Sequence, residues 1–598
     1  MAEPLRTGRE QQRRTLSRTT SQRRRSRSRP LRTSSSDLQR IYSAGHHLDD
    51  HSVYHHDHAA GESDTDTESE VLEEKASDSS RISDSAPGEK AEEEEEDETI
   101  PEILDGLPAE QDVEVQRPPL QKRITTRSIK DPNLVTWDGP DDPGNPKNWS
   151  MKRKWAATLV VSSFTFISPV SSSMVAPALT TIARDLYITS QATQQLVLSI
   201  FILAYAIGPL FFGPLSEIYG RVPVLQLANL FYLVWNLGCG FAKTEGEMMA
   251  FRFLAGLGGS APLSIGGGLL SDCWRAEERG RAISVYSLAP LLGPAIGPIA
   301  GGFVTQKTTW RWVFYATTIA DACIQVFGLF FLQETYVPKI LRQKRDRLRK
   351  ETGNMDLRTE YDTPDKTFTS VLSTALIRPF RLLGTQPIVQ VLAVYIAYVY
   401  GLMYLVLSTF PRLWTEIYYE TIGIGGLNYI SLGLGFFSGT QVCAPLNDRI
   451  YRRLKNRNNG VGKPEFRIPL MMPASLVIPI GLFWYGWSAQ AGLHWIMPNI
   501  GAFIFSFGNI VVFQCVQTYV VDAYQRYAAS AVASTTVLRS LAGFGFPLFA
   551  LPMYRALGDG WGNSLLGFVA LGIGLPAPFL LWYFGERLRM RSKFAAGP

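Results

Sequence analysis

Beyond about residue 150 the chain is a succession of long apolar runs divided by short polar turns. The apolar segments read approximately 156–178, 193–213, 222–241, 248–270, 281–304, 311–332, 388–410, 426–446, 468–488, 493–519, 528–551 and 563–584. Each approaches or exceeds the roughly 20 residues needed to cross about 30 Å of hydrocarbon. Lipid offers backbone polar groups no water, so such segments are expected to be helical. The pattern predicts an all-α membrane protein with twelve transmembrane helices in two pseudo-symmetric six-helix bundles. The expected bundles are 151–335 and 388–585, separated by a central loop at 336–387 and followed by a C-terminal tail at 586–598. An even split around the longest polar loop suits two transporter halves about a midplane site.

Charge orients the helices. Arg275, Arg279 and Arg281, then Lys339 to Lys350, Arg449 to Arg467 and Arg587 to Arg591 all fall on one side of this topology. The other side holds scattered charges such as Arg184, Lys243, Lys307 and Arg412. Basic residues collect on the cytosolic side, so both termini are expected there. No apolar run opens the chain, and no cleavable signal peptide is expected.

Residues 1–150 read as a disordered cytosolic tail. Residues 1–40 carry twelve Arg and three acids, and residues 41–100 carry twenty acids and three basic residues. Neither block can bury a core. The Arg-Ser run from Arg23 to Arg29 lacks aromatic company, so nucleic acid is not expected as a partner. The basic block could instead lie on an anionic leaflet and be released by phosphorylation, or simply be solvated. The histidines between His46 and His58 have no fixed geometry, so no metal is expected. The five cysteines lie in or beside apolar runs without paired spacing, and read as small buried residues.

Three stretches carry mechanism. The apolar segment Ser287–Val304 contains Gly293, Pro294, Gly297, Pro298, Gly301 and Gly302. Its glycines at every fourth position make a smooth strip for a neighbouring helix, and its prolines favour kinks. The doubled Gly-Pro pair resembles the fifth-helix antiporter motif of the major facilitator superfamily. Gly213-Pro-Leu-Ser-Glu-Ile-Tyr-Gly-Arg-Val-Pro-Val-Leu225 is similar to that superfamily's loop signature, with Glu217 in the usual Asp position and Arg221 in the Arg position. There Glu217 can pair with Arg221 or face a helix N-terminus. In the family this cluster latches the two halves on the cytosolic side. A weaker echo stands at Asn447-Asp448-Arg449. Phe251-Arg-Phe-Leu-Ala-Gly-Leu-Gly-Gly259 resembles the fourth-helix motif whose Arg, here Arg252, is tied to proton coupling.

Asp321 stands in mid-span six and Arg539 inside span eleven. A charge within a span is costly and should face the interior with a partner. Asp321 is a candidate proton carrier, coupled to Arg252. Arg539 could bind an acidic group of the cargo or hold a second-half carboxylate such as Asp522. Tyr395, Tyr398, Tyr400 and Tyr404 on span seven, with Asn509, Gln514 and Gln517 on span ten, could line an apolar cavity with a few polar groups. Aromatic faces would also suit a cation such as a polyamine.

Trp310-Arg-Trp-Val-Phe-Tyr315, Val521-Asp-Ala-Tyr-Gln-Arg-Tyr-Ala-Ala529 and Asn145-Pro-Lys-Asn-Trp149 resemble fungal twelve-span drug:proton antiporters of the polyamine and azole-resistance type, over about residues 135–590. The resemblance implies a proton-coupled exporter of small organic compounds: drugs, toxins, secondary metabolites or polyamines. It implies a monomer without cofactors, in the plasma membrane or, alternatively, the vacuolar membrane. A transport-inactive sensor signalling through its charged tail is the alternative. No nucleophile–base pair or metal-ligand spacing supports an enzyme. No G-x-x-x-x-G-K-[ST] phosphate loop supports an ATP-driven pump.

Overall fold

The computed structural model describes residues 131–595 apart from 132, 276–277, 363–367 and 593. The basic and acidic blocks of the tail, its histidines and its serines lie outside the described residues.

Among the described residues, eleven continuous helical stretches are long and apolar enough to cross a membrane. Spans 1 to 6 are Met151–Asp185, Gln191–Tyr219, Arg221–Phe241, Glu245–Cys273, Arg279–Lys307 and Arg311–Phe331. Spans 7 to 10 are Pro387–Ile417, Ile422–Arg457, Pro464–Gln490 and Ile496–Ala523. The last stretch, Ala528–Met590, has 63 residues, about 95 Å of helix and enough for two crossings. It breaks at Gly558, where φ is 74° and ψ 172°. That left-handed φ is open to glycine at little cost. Asp559, just past the break, takes the Arg412 guanidinium from the end of span 7 at 2.9 Å. The break yields span 11 at 528–557 and span 12 at 559–590, and twelve passes in all.

Glycine and small residues set the helix spacing. A Cβ on Gly293 would lie 2.6 Å from Pro169 Cβ, on Gly297 2.8 Å from the Val170 carbonyl, and on Gly301 2.1 Å from the Met174 carbonyl. The expected strip is therefore the face on which span 5 meets the backbone of span 1. The hydroxyl of Ser173 seals the seam by donating to the Gly293 carbonyl at 3.2 Å. Pro290, Pro294 and Pro298 all remain inside one helix, as lipid-embedded backbone requires.

The halves meet at the end of the bundle where span 5 finishes and span 8 begins. There Gly423 N–H donates to Gln306 Oε1 at 2.8 Å, and a Cβ on Gly302 would stand 2.8 Å from the Ile422 carbonyl. At the opposite, charged end the same two helices part. Ile283, Ser284 and Val285 on span 5 are exposed in succession, as are Ala444, Pro445 and Leu446 on span 8. Three consecutive residues span about 200° of a helix, so a wide face of each is open there, while Ala282, Cys443 and Asn447 stay buried on the other face.

Two sequence expectations need correction. The tail was expected to be unstructured up to 150, but its last stretch is tied to the central loop. Val135 N–H donates to the Arg358 carbonyl, and Arg358 N–H to the Asn133 carbonyl, both at 2.7 Å. Lys344 reaches Asp138 and Asp142, and Arg358 reaches Asp131. The loop itself contains the helices Val337–Thr352 and Phe368–Thr385. Among the cysteines, Cys323 is exposed. Cys443 and Cys515 are buried with their sulfurs 4.0 Å apart across spans 8 and 10.

Candidate functional site

The charged end carries a cluster on each half. In the first, Arg221 opens span 3 and its guanidinium meets Asp272 at the end of span 4 at 3.3 Å. Ser216 accepts from it at 2.8 Å, and the Tyr336 ring lies 4.8 Å away. Glu217 is only marginally engaged, at 4.0 Å. The helix N-terminus that Glu217 could have faced is taken by Glu334, whose Oε1 accepts from the backbone N–H of Arg221 at 3.0 Å. Gly220, with φ +99°, makes the turn.

The second cluster repeats the first on the matching helices. Arg467, in the opening turn of span 9, pairs with Asp448 on span 8 at 2.7 Å and with Asp522 at the end of span 10 at 2.9 Å. The loop signature was expected to latch one half to the other. In this conformation each cluster closes on its own half, through ion pairs made within that half. Asp272, Glu334 and Arg467 were not singled out in the sequence. The internal repeat could have found Asp272 and Arg467, which sit at the helix ends that Asp522 and Arg221 occupy in the other half, but no such signal marks Glu334.

Arg252 is fully buried, with 0% exposure, so it does not snorkel. Its guanidinium donates to the carbonyls of Val197, Ser171 and Ser172 at 3.0–3.3 Å and lies 4.5 Å from the Phe201 ring. The Ser171 and Ser172 carbonyls are open to it because span 1 leaves α-helical geometry for a tight turn at Ala176–Ala178, whereas Val197 belongs to span 2.

Asp321 is also 0% exposed. Its Oδ2 accepts from Asn229 Nδ2 at 2.9 Å, while Oδ1 is buried without a partner. Asp321 was expected to be coupled to Arg252, and the two make no direct ion pair here: Asp321 bonds Asn229 and Arg252 bonds backbone carbonyls. Instead a polar ladder runs along spans 3 and 6 between them. Ser171, whose carbonyl holds Arg252, donates its hydroxyl to Asn236 at 3.0 Å, and Asn236 donates to Thr318 at 2.8 Å, one turn before Asp321.

The centre of the molecule is built by spans 2, 7, 10 and 11. Arg539 is half-buried, with its guanidinium 5.3 Å from the Tyr400 ring and 5.1 Å from the Phe513 ring. Its Nε is sealed without a partner. The suggested tie to Asp522 is not formed, because Arg467 takes that carboxylate. Across the midline, a Cβ on Gly543 would lie 3.0 Å from Tyr400 and 3.1 Å from Ile202 of the first half.

The tyrosines divide by helix face. Tyr400 and Tyr404 lie with ring centroids 5.0 Å apart, tilted by 51°, beside the centre. Tyr395 and Tyr398, the expected cavity residues, turn away. Tyr398 donates to the Leu566 carbonyl on span 12 at 2.5 Å. Tyr395 is buried, with its hydroxyl over Gly574. At about 100° per residue, Tyr395 lies on the opposite side of the helix from Tyr404. Asn509 donates to the Val399 carbonyl and so serves packing. Gln514 and Gln517 are half-buried on span 10.

The sequence profile of the Major Facilitator Superfamily matches residues 161–547. The chain is 56% identical over 468 residues to the efflux pump vrtL of Penicillium aethiopicum, covering 78% of this chain and 92% of that protein. It is 44% identical over 466 residues to the efflux pump radE of Floropilus chiversii, covering 78% and 86%. Among solved structures, the partially occluded inward-open xylose transporter XylE of E. coli superposes with a TM-score of 0.53 at 16% identity, covering 72% of this chain and 99% of that one. A bacterial homologue of the lysosomal transporter Spinster gives 0.54 at 14% identity, covering 75% and 100%. These two share the fold. A twelve-pass bundle in two halves, a glycine seam in span 5 and relatives of this identity over most of their length assign the chain: it belongs to the major facilitator superfamily and is a membrane transporter, not an enzyme.

Proposed function

We propose that the protein is a proton-coupled exporter of small organic compounds, acting as a monomer in the plasma membrane with both termini in the cytosol. Sidedness rests on the basic residues gathered at the charged end. Export is supported by the efflux pumps among its relatives. In this reading the closed end at Gln306 and Gly423 is external and the charged end opens inward. The Glu217–Arg221–Asp272 and Asp448–Arg467–Asp522 clusters hold each half rigid while the halves rock.

The observation that carries coupling is Asp321: a fully buried carboxylate with one oxygen unpartnered, one turn beyond Thr318, where the bonds through Asn236 and Ser171 lead back to the segment that holds Arg252. Gain or loss of a proton there alters the ladder between spans 1, 3 and 6. Span 1 is also the helix on which the span 5 seam rests, so protonation can bias which end is open. The test is export into inside-out vesicles under an imposed pH gradient. Wild type should respond to the gradient and Asp321→Asn should not. Full gradient dependence in Asp321→Asn would remove Asp321 from the coupling.

A further inference from the structure

We infer that the cargo is an aromatic organic anion, bound with its negative group on Arg539 and its rings against Tyr400 and Phe513; this rests on the exporter reading. Among the described residues, no carboxylate lies within ion-pair distance of Arg539 or of Arg252, although both sit inside the membrane body. The one acid in mid-span, Asp321, is turned into the span 3 interface and bonded to Asn229.

The two arginines differ in what they leave open. Arg252 is fully buried and spends its donors on three backbone carbonyls. Arg539 is half-buried, and its guanidinium faces two aromatic rings. A guanidinium held by ring faces keeps its in-plane N–H groups free for a carboxylate or phenolate. The same rings offer an apolar shelf to a flat molecule. A cationic cargo, the polyamine class included, would bring like charge to a low-dielectric centre that holds positive side chains and no counterion. The charge class of the cargo is therefore set by a residue of span 11, away from both charged-end clusters.

The test uses two dyes with the same xanthene skeleton and opposite charge. Fluorescein is anionic and rhodamine 6G cationic. Purified full-length protein in proteoliposomes, driven by a pH gradient, should move fluorescein at least about ten-fold faster than rhodamine 6G. Arg539→Gln should lower fluorescein flux by about ten-fold or more, while Arg539→Lys, which keeps the charge, should lower it less. Rhodamine 6G moving as fast as or faster than fluorescein overturns the inference and leaves the exporter reading standing. So does fluorescein flux unchanged in Arg539→Gln. If neither dye moves faster than in protein-free vesicles, the exporter reading fails and the inference with it. Should Arg539→Gln not fold, as judged by gel filtration and melting, the comparison of the two dyes on wild type still decides.

Discussion

Replacing Gly301 by alanine probes the seam between spans 1 and 5 with a single methyl group. The added Cβ would stand 2.1 Å from the Met174 carbonyl oxygen and 3.0 Å from its carbon. Ordinary van der Waals contact begins near 3.4 Å, so the backbones must separate locally by about 1.3 Å. The obstructing atoms are main chain, which cannot rotate away as a flexible side-chain tip can. Overpacking of this kind costs about 1–3 kcal/mol. For a six-helix half that corresponds to roughly 2–12 °C in melting temperature. The assay is thermal unfolding of purified protein in detergent, beside gradient-driven export. Gly267→Ala and Gly572→Ala are the controls, since a Cβ at either position meets nothing within 4 Å. Alanine there should be neutral or slightly stabilising through helix propensity. If Gly301→Ala melts with or above wild type, the close approach of spans 1 and 5 is not as described.

Two other expectations concern the charged end. Glu465 and Arg589 pair at 3.0 Å with side chains 6% and 2% exposed. Glu465→Gln takes the negative charge out of this buried ion pair and should lower the melting temperature more than a substitution of an exposed pair such as Arg347–Glu351. The clasp between residues 131–142 and the central loop should open in acid. Arg358 holds the Asp131 carboxyl below its ordinary value, and the backbone N–H of Asp138 does the same for Asp142. A depressed carboxyl adds stability that is present above the ordinary value near 3.8 and is lost as pH falls through the lower folded value. Hydrogen exchange over 133–148, corrected for its intrinsic pH dependence, should be flat from pH 8 to about 5 and rise below about 4. A rise already at neutral pH would contradict the clasp.

The twelve spans were legible because lipid imposes a length and a polarity that apolar runs report directly. The glycine seam was legible because a four-residue repeat fixes a helix face whatever lies opposite. The phase of span 7 was not. It is apolar nearly all round, so nothing in its pattern separates Tyr400 and Tyr404, at the centre, from Tyr395 and Tyr398, against span 12. Nearness in sequence misled the pairing of Arg539 with Asp522. Asp522 closes span 10, whereas Arg539 lies eleven residues into span 11, about 16 Å deeper. Residues 131–148 carry no periodic signal, because polar contacts and a single short backbone pairing hold them. The two three-residue clusters are composed of ordinary charged turns, and only the repeat of the helices makes them recognisable as a pair.

The central claim is that the halves must separate where Gln306 meets Gly423 for each cycle of transport. The direct measurement is cross-linking of Gln306→Cys with Gly423→Cys in a chain whose five native cysteines are replaced. Gln306 reaches Gly423 N–H only with the tip of its side chain, at 2.8 Å, so a short bis-methanethiosulfonate reagent should bridge the two cysteines through reducible disulfides. Export should then stop, and it should return when a reductant opens the bridge. Undiminished export through a fully cross-linked population would contradict the rocking of two halves about a shared centre.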